Sequence, residues 1–227
     1  MATATPLNPA YIFDLDGTLV DTAPDLLAAL NAVLAAAGRG NVDPETLRHM
    51  VGFGARSLIT QAFAATGPAL EDSALPELFD QFIAHYRRNI AAESRPFPGV
   101  AETLAALAGE ARLGVLTNKP QELTDLLLPA VGLAHFFGAV HGAGRLSVAK
   151  PDAAVFHHVI EELGGEDGGA VMIGDSATDV ATARAAGVPV ILVAYGYSPT
   201  PAAELGGDAV TADFREVPAL ARRLLGR

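Results

Sequence analysis

The chain has 227 residues, half of them hydrophobic, which exceeds the roughly 100–150 residues of the commonest domain size and predicts one domain with a sizeable insertion, or two small ones. Its formal net charge of −11 argues against the basic face that nucleic acid or an anionic membrane would require. The absence of cysteine excludes disulfides, thiolate metal sites and thiol nucleophiles together.

The opening MATATPLNPA carries neither the basic region nor the apolar stretch of a secretory signal and reads as a short tail. Residues 10–14 are then a short apolar run ending in an acid, the pattern of a buried strand. This run leads into FDLDGTLVDT at 13–22. Alternation along an extended chain points Asp14 and Asp16 to one side with Leu15 facing away. The carboxyl end of a central strand is also where open α/β sheets receive their ligands. Gly17 and Thr18 allow a sharp turn that offers backbone N–H groups to an anion. An isolated Asp-x-Asp of this kind is equally a polar turn, and only the rest of the chain decides between the two.

From 22 to 94 the periodicity is helical only, bounded by Pro24 on one side and by Pro96, Pro98 and Gly99 on the other. This predicts a helical domain at 22–95 inserted into an α/β core made of 1–21 and 96–227, with linkers that permit hinge motion. Beyond it, apolar runs at 113–117, 170–174 and 188–193 alternate with helical patterns at 100–108, 122–131, 152–163 and 179–186. Such alternation predicts a doubly wound, mostly parallel, Rossmann-like sheet. No run approaches the ~18 apolar residues of a membrane span, and a soluble cytoplasmic protein is expected.

The stretch MIGDSATDV places Asp175 and Asp179 directly after the strand at 170–174. Ser176 and Asp179 also fit a helix capping box, whereas Asp175 lies before the cap and is not explained by it. Asp14, Asp16 and Asp175 converging at strand ends would repel one another unless a cation neutralised them. Oxygen ligands without His or Cys favour Mg²⁺. Of fifteen basic residues the only lysines are Lys119 and Lys150, in TNKPQE and AKPDAAVF. Proline in a first helical turn sets each lysine beside a helix N-terminus, where a phosphate is favoured. A chain that otherwise uses arginine keeps lysine either by chance or where a compact point charge is needed. Thr117 and Asn118 add a hydroxyl and an amide. His157 and His158, being adjacent on a predicted helix, do not face the same way and are read as core or surface residues.

Taken in order, FDLDGTLVDT, LTNK, AKPDAAVF and GDSATD resemble the four successive motifs of the haloacid dehalogenase superfamily, with the helical insertion where its cap domain belongs. The resemblance implies Asp14 as nucleophile and Asp16 as the acid that protonates the leaving oxygen and then activates water. It implies Mg²⁺ held by the Asp14 carboxylate, the Asp16 carbonyl and Asp175, with Asp179 in support. Thr117, the Asn118 amide and Lys150 would hold the phosphoryl group. The second acid of the first motif, absent from dehalogenases, points to phosphoryl chemistry on a small phosphorylated metabolite. Within the superfamily, DTAPDLLAALNAVL, MVGFGARSLI and VAYGY look most like phosphoglycolate phosphatases. Leu26 stands where the related phosphosugar mutases carry a histidine, and Phe53 where many of the phosphatases have asparagine. Arg56 is either a bidentate donor to a substrate carboxylate or a solvated helix-end residue. Tyr195 and Tyr197 either border the cleft or pack beneath it. Three functions fit these residues: a Mg²⁺-dependent phosphomonoester hydrolase, a mutase of the β-phosphoglucomutase kind, and a non-catalytic phospholigand-binding protein.

Overall fold

The computed structural model describes residues 8–165 and 168–227. Most of the tail read from the sequence, residues 1–7, lies outside the described residues. Six parallel strands form one sheet in the order β5-β4-β1-β6-β7-β8. They are β1 (Ala10–Phe13), β4 (Arg112–Pro120), β5 (Ala139–Ala143), β6 (Ala170–Gly174), β7 (Val190–Val193) and β8 (Ala209–Thr211). All four residues of β1, AYIF, are buried because helices cover both faces of the sheet, which is why the strand reads as a continuous apolar run.

Each face has its own apolar layer. Tyr11, Phe13, Val115 and Ile173 pack against residues of α5 (Val100–Leu107), α6 (Gln121–Ala130) and α9 (Val217–Leu224). Ile12, Leu116 and Met172 pack instead against α7 (Ala153–Glu162) and α8 (Ala177–Ala186). The winding reverses at β1, which pairs with β4 on one side and β6 on the other. The crevice beyond its carboxyl end is therefore the switch point of the sheet.

The stretch between β1 and α5 forms α1 (Ala23–Ala36), α2 (Pro44–Arg48), α3 (Ala55–Thr66) and α4 (Leu75–Arg88). Leu30, Leu34, Leu47, Ile59, Phe82 and Tyr86 build a separate apolar cluster there. The chain leaves and returns through two short antiparallel strands, β2 (Val20–Asp21) and β3 (Arg95–Pro96), with Val20 opposite Pro96 and Asp21 opposite Arg95. On α1 the buried Asp25 carboxylate accepts hydrogen bonds from the Glu93 and Ser94 amides and the Ser94 hydroxyl, at 2.6–3.1 Å. That side chain ties down the returning segment.

Strands β2, β3, β5 and β8 have no counterpart in the sequence reading. Two or three residues are too few to show a period of two, and AVHGA of β5 interrupts its apolar pattern with His141 and Gly142. Strand β4 also outruns its expected end at 117 and carries Asn118 and Lys119 within it.

Candidate active site

Asp14 follows the last residue of β1 and is 5% exposed. Its Oδ1 accepts a hydrogen bond from the Leu15 amide at 2.7 Å and lies 3.0 Å from the Lys150 ammonium. Asp16, two residues on, faces the same cleft. Its Oδ1 accepts from the Thr22 hydroxyl at 2.7 Å and from Lys119 Nζ at 2.9 Å. Gly17 then turns the chain with φ +82°, and a Cβ there would stand 2.6 Å from Asp175 Oδ2. The turn consumes the amides expected to face an anion. Gly17 N–H donates to the Val20 carbonyl at 3.0 Å and Thr18 N–H to the Leu15 carbonyl at 3.4 Å. The Gly17 amide is thus engaged within the turn, and the missing side chain leaves room for Asp175.

Asp175 and Asp179 follow β6. The Asp175 carboxylate accepts from the Thr18 hydroxyl at 3.0 Å and from the Tyr197 amide at 2.7 Å. Asp179 does both jobs open to it in the sequence. Its Oδ2 closes the capping box by accepting from Ser176 N–H and Oγ–H, and also from Asp175 N–H. Its Oδ1 accepts from Lys150 Nζ at 2.7 Å. Lys150 therefore lies buried between Asp14 and Asp179. Burial opposes its charge, but the two carboxylates outweigh burial and raise its pKa.

One ammonium does not balance this group. Oxygen atoms of Asp14, Asp175 and Asp179 lie within 4.8 Å of one another, all on buried residues. Burial, with repulsion from Asp179, pushes the Asp14 carboxyl up to about 6 even against Lys150. Burial, then Asp179 and Asp14, pushes Asp175 up to about 8. Carboxylates held together at this cost, with oxygen donors only, fit a hard divalent cation such as Mg²⁺. The Asp16 carboxylate is engaged by Lys119 and lies outside this group of three.

The ladder between β4 and β5 shifts register between Leu116 and Pro120, which frees the backbone at the end of the strand. Thr117, Asn118 and Lys119 sit there and line the cleft with Asp14 and Asp16. The Asn118 side chain binds Lys150 from both sides, with Oδ1 accepting from its N–H at 3.1 Å and Nδ2 donating to its carbonyl at 3.3 Å. It also reaches the Gly52 carbonyl in the helical unit at 3.4 Å. Thr117 Oγ1 accepts from the Lys119 amide at 3.2 Å. Across the cleft the helical unit presents Leu26, Val51, Leu58, Phe82 and Tyr86. Arg56 is not among the lining residues: it is exposed and its guanidinium lies over the Phe79 ring, 4.4 Å from the centroid. Phe53 is 59% exposed at the outer mouth, beside Asp175, Ser176 and Tyr197.

Some residues with a place in the site escaped the sequence reading or were left open by it. Tyr86 lends no recognisable pattern to the sequence, yet Lys119 Nζ donates to its hydroxyl at 2.7 Å. Thr18 anchors Asp175. Tyr197 accepts from the Thr22 and Ala23 amides through its hydroxyl and donates to Asp21, capping α1 from the sheet side. Tyr195 donates to the Thr18 carbonyl and stacks on Phe97. Away from the cleft, His141, His158 and Glu162 also meet. There Glu162 Oε2 pairs with the His141 ring and Oε1 with Arg145 at 3.0 and 2.6 Å. Both carboxylate oxygens are thus already engaged in joining β5 and the segment after it to α7.

The family model for haloacid dehalogenase-like hydrolases matches residues 11–193. A phosphoglycolate phosphatase from Agrobacterium fabrum is 44% identical over 99% of this chain and 97% of its own length. One from Caulobacter vibrioides is 48% identical over 96% of this chain and 93% of its own. Among solved structures, the crystal structure of a "predicted phosphoglycolate phosphatase" from Haemophilus somnus 129pt superposes with a TM-score of 0.88 at 30% identity, covering 96% of this chain and all of the other.

Proposed function

The chain belongs to the haloacid dehalogenase-like hydrolase family and is a phosphatase, and from that premise we propose that it hydrolyses phosphoglycolate through a phosphoaspartate on Asp14. The observation that carries this reading is the pair Asp14 and Asp16, side by side at the end of the central strand, lining one cleft and each held by its own lysine. Asp14 Oδ1 is fixed by Leu15 and Lys150, which aims the other oxygen at phosphorus. As that oxygen bonds to phosphorus, the ester P–O bond breaks and Asp16 donates its proton to the leaving oxygen. Asp16, now a carboxylate, takes a proton from water, whose oxygen attacks phosphorus and displaces Asp14. Thr117 and Lys150 bear on the phosphoryl oxygens in this reading. Asn118 acts by holding the main chain of Lys150.

Asp14, Asp175 and the Asp16 carbonyl, supported by Asp179, are the donors we assign to Mg²⁺, which when bound supplies the positive charge that lets a carboxylate approach a phosphate. Residues 22–95 act in this reading as a cap over a core of 1–21 and 96–227, moving on the paired strands β2 and β3. No helix among the described residues is long and apolar enough to cross a membrane. A mutase would need an acid–base group facing a sugar hydroxyl, and at the matched position the cleft is lined by Leu26.

The test is phosphate release from phosphoglycolate, sugar phosphates, nucleotides and pyrophosphate with Mg²⁺, using Asp14→Asn as the blank. Phosphoglycolate should give the highest kcat/KM, and the blank should fall by at least about a thousandfold. A blank as active as the parent, or a sugar phosphate preferred over phosphoglycolate, would overturn the proposal.

A further inference from the structure

We infer that Lys119, held by the Tyr86 hydroxyl, is the receptor for the substrate's carboxylate and so the residue that sets the length and charge of the ester accepted. The inference rests on the phosphatase reading of Asp14 and Asp16.

The cleft wall contributed by the helical unit is apolar, and among the residues lining the cleft Lys119 is the one cation. Arg56, over Phe79, and Arg48, over Tyr197 and 3.4 Å from Asp21, are both committed elsewhere. A carboxylate entering such a wall without a partner would meet a prohibitive desolvation cost. Lys119 is built to meet it. Its side chain is 2% exposed, and its ammonium sits 2.9 and 3.3 Å from the two Asp16 oxygens and 2.7 Å from Tyr86 Oη.

The location reads substrate length. Asp16 has to reach the bridging oxygen of the ester to protonate it. In a two-carbon carboxylated ester the carboxyl carbon lies two bonds from that oxygen, about 2.5 Å at ordinary bond lengths and angles. An ammonium within hydrogen-bond reach of both Asp16 oxygens is consequently within reach of that carboxylate as well. Each further methylene moves the carboxylate roughly 1.3 Å farther along an extended chain, and so away from a receptor fixed beside Asp16. A neutral ester leaves Lys119 with Asp16 as its only anionic partner in the cleft. A compact ammonium with three donors can hold Asp16, Tyr86 and a substrate oxygen together, which a planar guanidinium cannot do in the same space.

The contact also spans two units of the molecule, since Tyr86 lies on α4 and Lys119 at the end of β4. Carboxylate recognition and the seating of the helical unit over the cleft therefore share one ammonium.

The experiment compares phosphoglycolate with ethyl phosphate, which lacks only the carboxylate. In Lys119→Met the ratio of the two kcat/KM values should fall tenfold to a hundredfold, the loss expected for a hydrogen bond to a charged group, and chiefly through KM for phosphoglycolate. In Tyr86→Phe, which removes one oxygen and keeps the ring, the ratio should fall by about threefold to tenfold. Equal losses on both esters would overturn the inference, because they would assign Lys119 to the chemistry and not to recognition. Calorimetric binding of both esters by the Asp14→Asn protein, with and without Lys119→Met, needs no turnover. A carboxylate preference that survives Lys119→Met there would also overturn it. A preference that Lys119→Met abolishes in a parent releasing no phosphate would support Lys119 and count against the phosphatase reading alone.

Discussion

Replacing Lys150 by methionine removes the charge that holds the acidic group together while keeping the length of the side chain. The ammonium is 1% exposed and lies 3.0 Å from Asp14 and 2.7 Å from Asp179. At an effective dielectric of about 20, a unit pair at 3 Å is worth roughly 5 kcal/mol before desolvation. Breaking a buried pair by removing one partner costs about 3–5 kcal/mol. In a chain of this size each kcal/mol moves Tm by roughly 2–4 °C, so a fall of about 6–20 °C is expected at pH 8 without divalent metal. The sign of the pH dependence comes from the raised carboxyl groups. Burial and neighbouring carboxylates lift Asp14 from 3.8 to about 6 and Asp175 from 3.8 to about 8. Such groups bind more protons folded than unfolded, so their contribution is most favourable below about 4 and declines as pH rises through the folded values. Deleting Lys150 lifts Asp14 further, and the loss of Tm should be greatest at pH 8 and smaller at pH 5. Calorimetric unfolding of both proteins after chelation, at the two pH values, measures this directly. Losses equal at pH 5 and pH 8 would refute the electrostatic argument, as would a loss below about 2 °C at pH 8.

Mg²⁺ affinity should rise between pH 6 and pH 8, because Asp14 and Asp175 must shed the protons their burial retains; titrations in two buffers of different ionisation enthalpy should report about one proton released near pH 7, and buffer-independent heats would contradict it. Gly17→Ala should cost about 1–3 kcal/mol, since φ is +82° and the new Cβ would meet Asp175 Oδ2 at 2.6 Å; an unchanged urea midpoint would refute the close-approach argument. Asp25→Ala strands the Glu93 and Ser94 amides and the Ser94 hydroxyl and should destabilise by about 2–4 kcal/mol; chemical denaturation gives the value, and a change under about 0.5 kcal/mol would show that the returning segment is held by other contacts.

How much of the fold and of the site was legible in the sequence depended on the range of the interaction. Strand β1 and the acids after it could be read because the burial of four consecutive residues and the placement of Asp14 are local. Strands β5 and β8 could not, because short segments beside a parallel neighbour show no period of their own. The lysine count singled out Lys119 and Lys150, but Lys119's partner Tyr86 lies 33 positions upstream. An amphipathic helix announces its apolar stripe, not the residue of a distant strand that its edge will meet. Arg56 was open to two readings for the same reason: relative to Leu58, Ile59 and Ala62 on α3 it falls at the edge of the buried stripe, and only the packing of α3 against α4 lays it over Phe79. Asp179 shows both ranges at once, since its capping box with Ser176 is local and legible, whereas the contact of its other oxygen with Lys150 spans 29 positions and is not.

The two lysines tie the two acids to different parts of the molecule. Asp14 is held by Leu15 and Lys150, and Lys150 in turn by Asp179 and Asn118, nearly all of them belonging to the sheet and its loops. The proposed role of Asp14 as nucleophile needs that fixity, because reacting atoms misplaced by an ångström lose about a hundredfold in rate. Asp16 is held by Thr22, at the entrance to the helical unit, and by Lys119, which shares its protons with Tyr86 on α4. The helical unit therefore bears directly on Asp16 through Tyr86 and Lys119, whereas it reaches the hydrogen-bond partners of Asp14 only at one remove, through Gly52 and Asn118. In the proposed reaction Asp16 gives a proton to one oxygen and takes one from another in the next step, and its ties to both units set it apart from Asp14 within a stretch of only two residues.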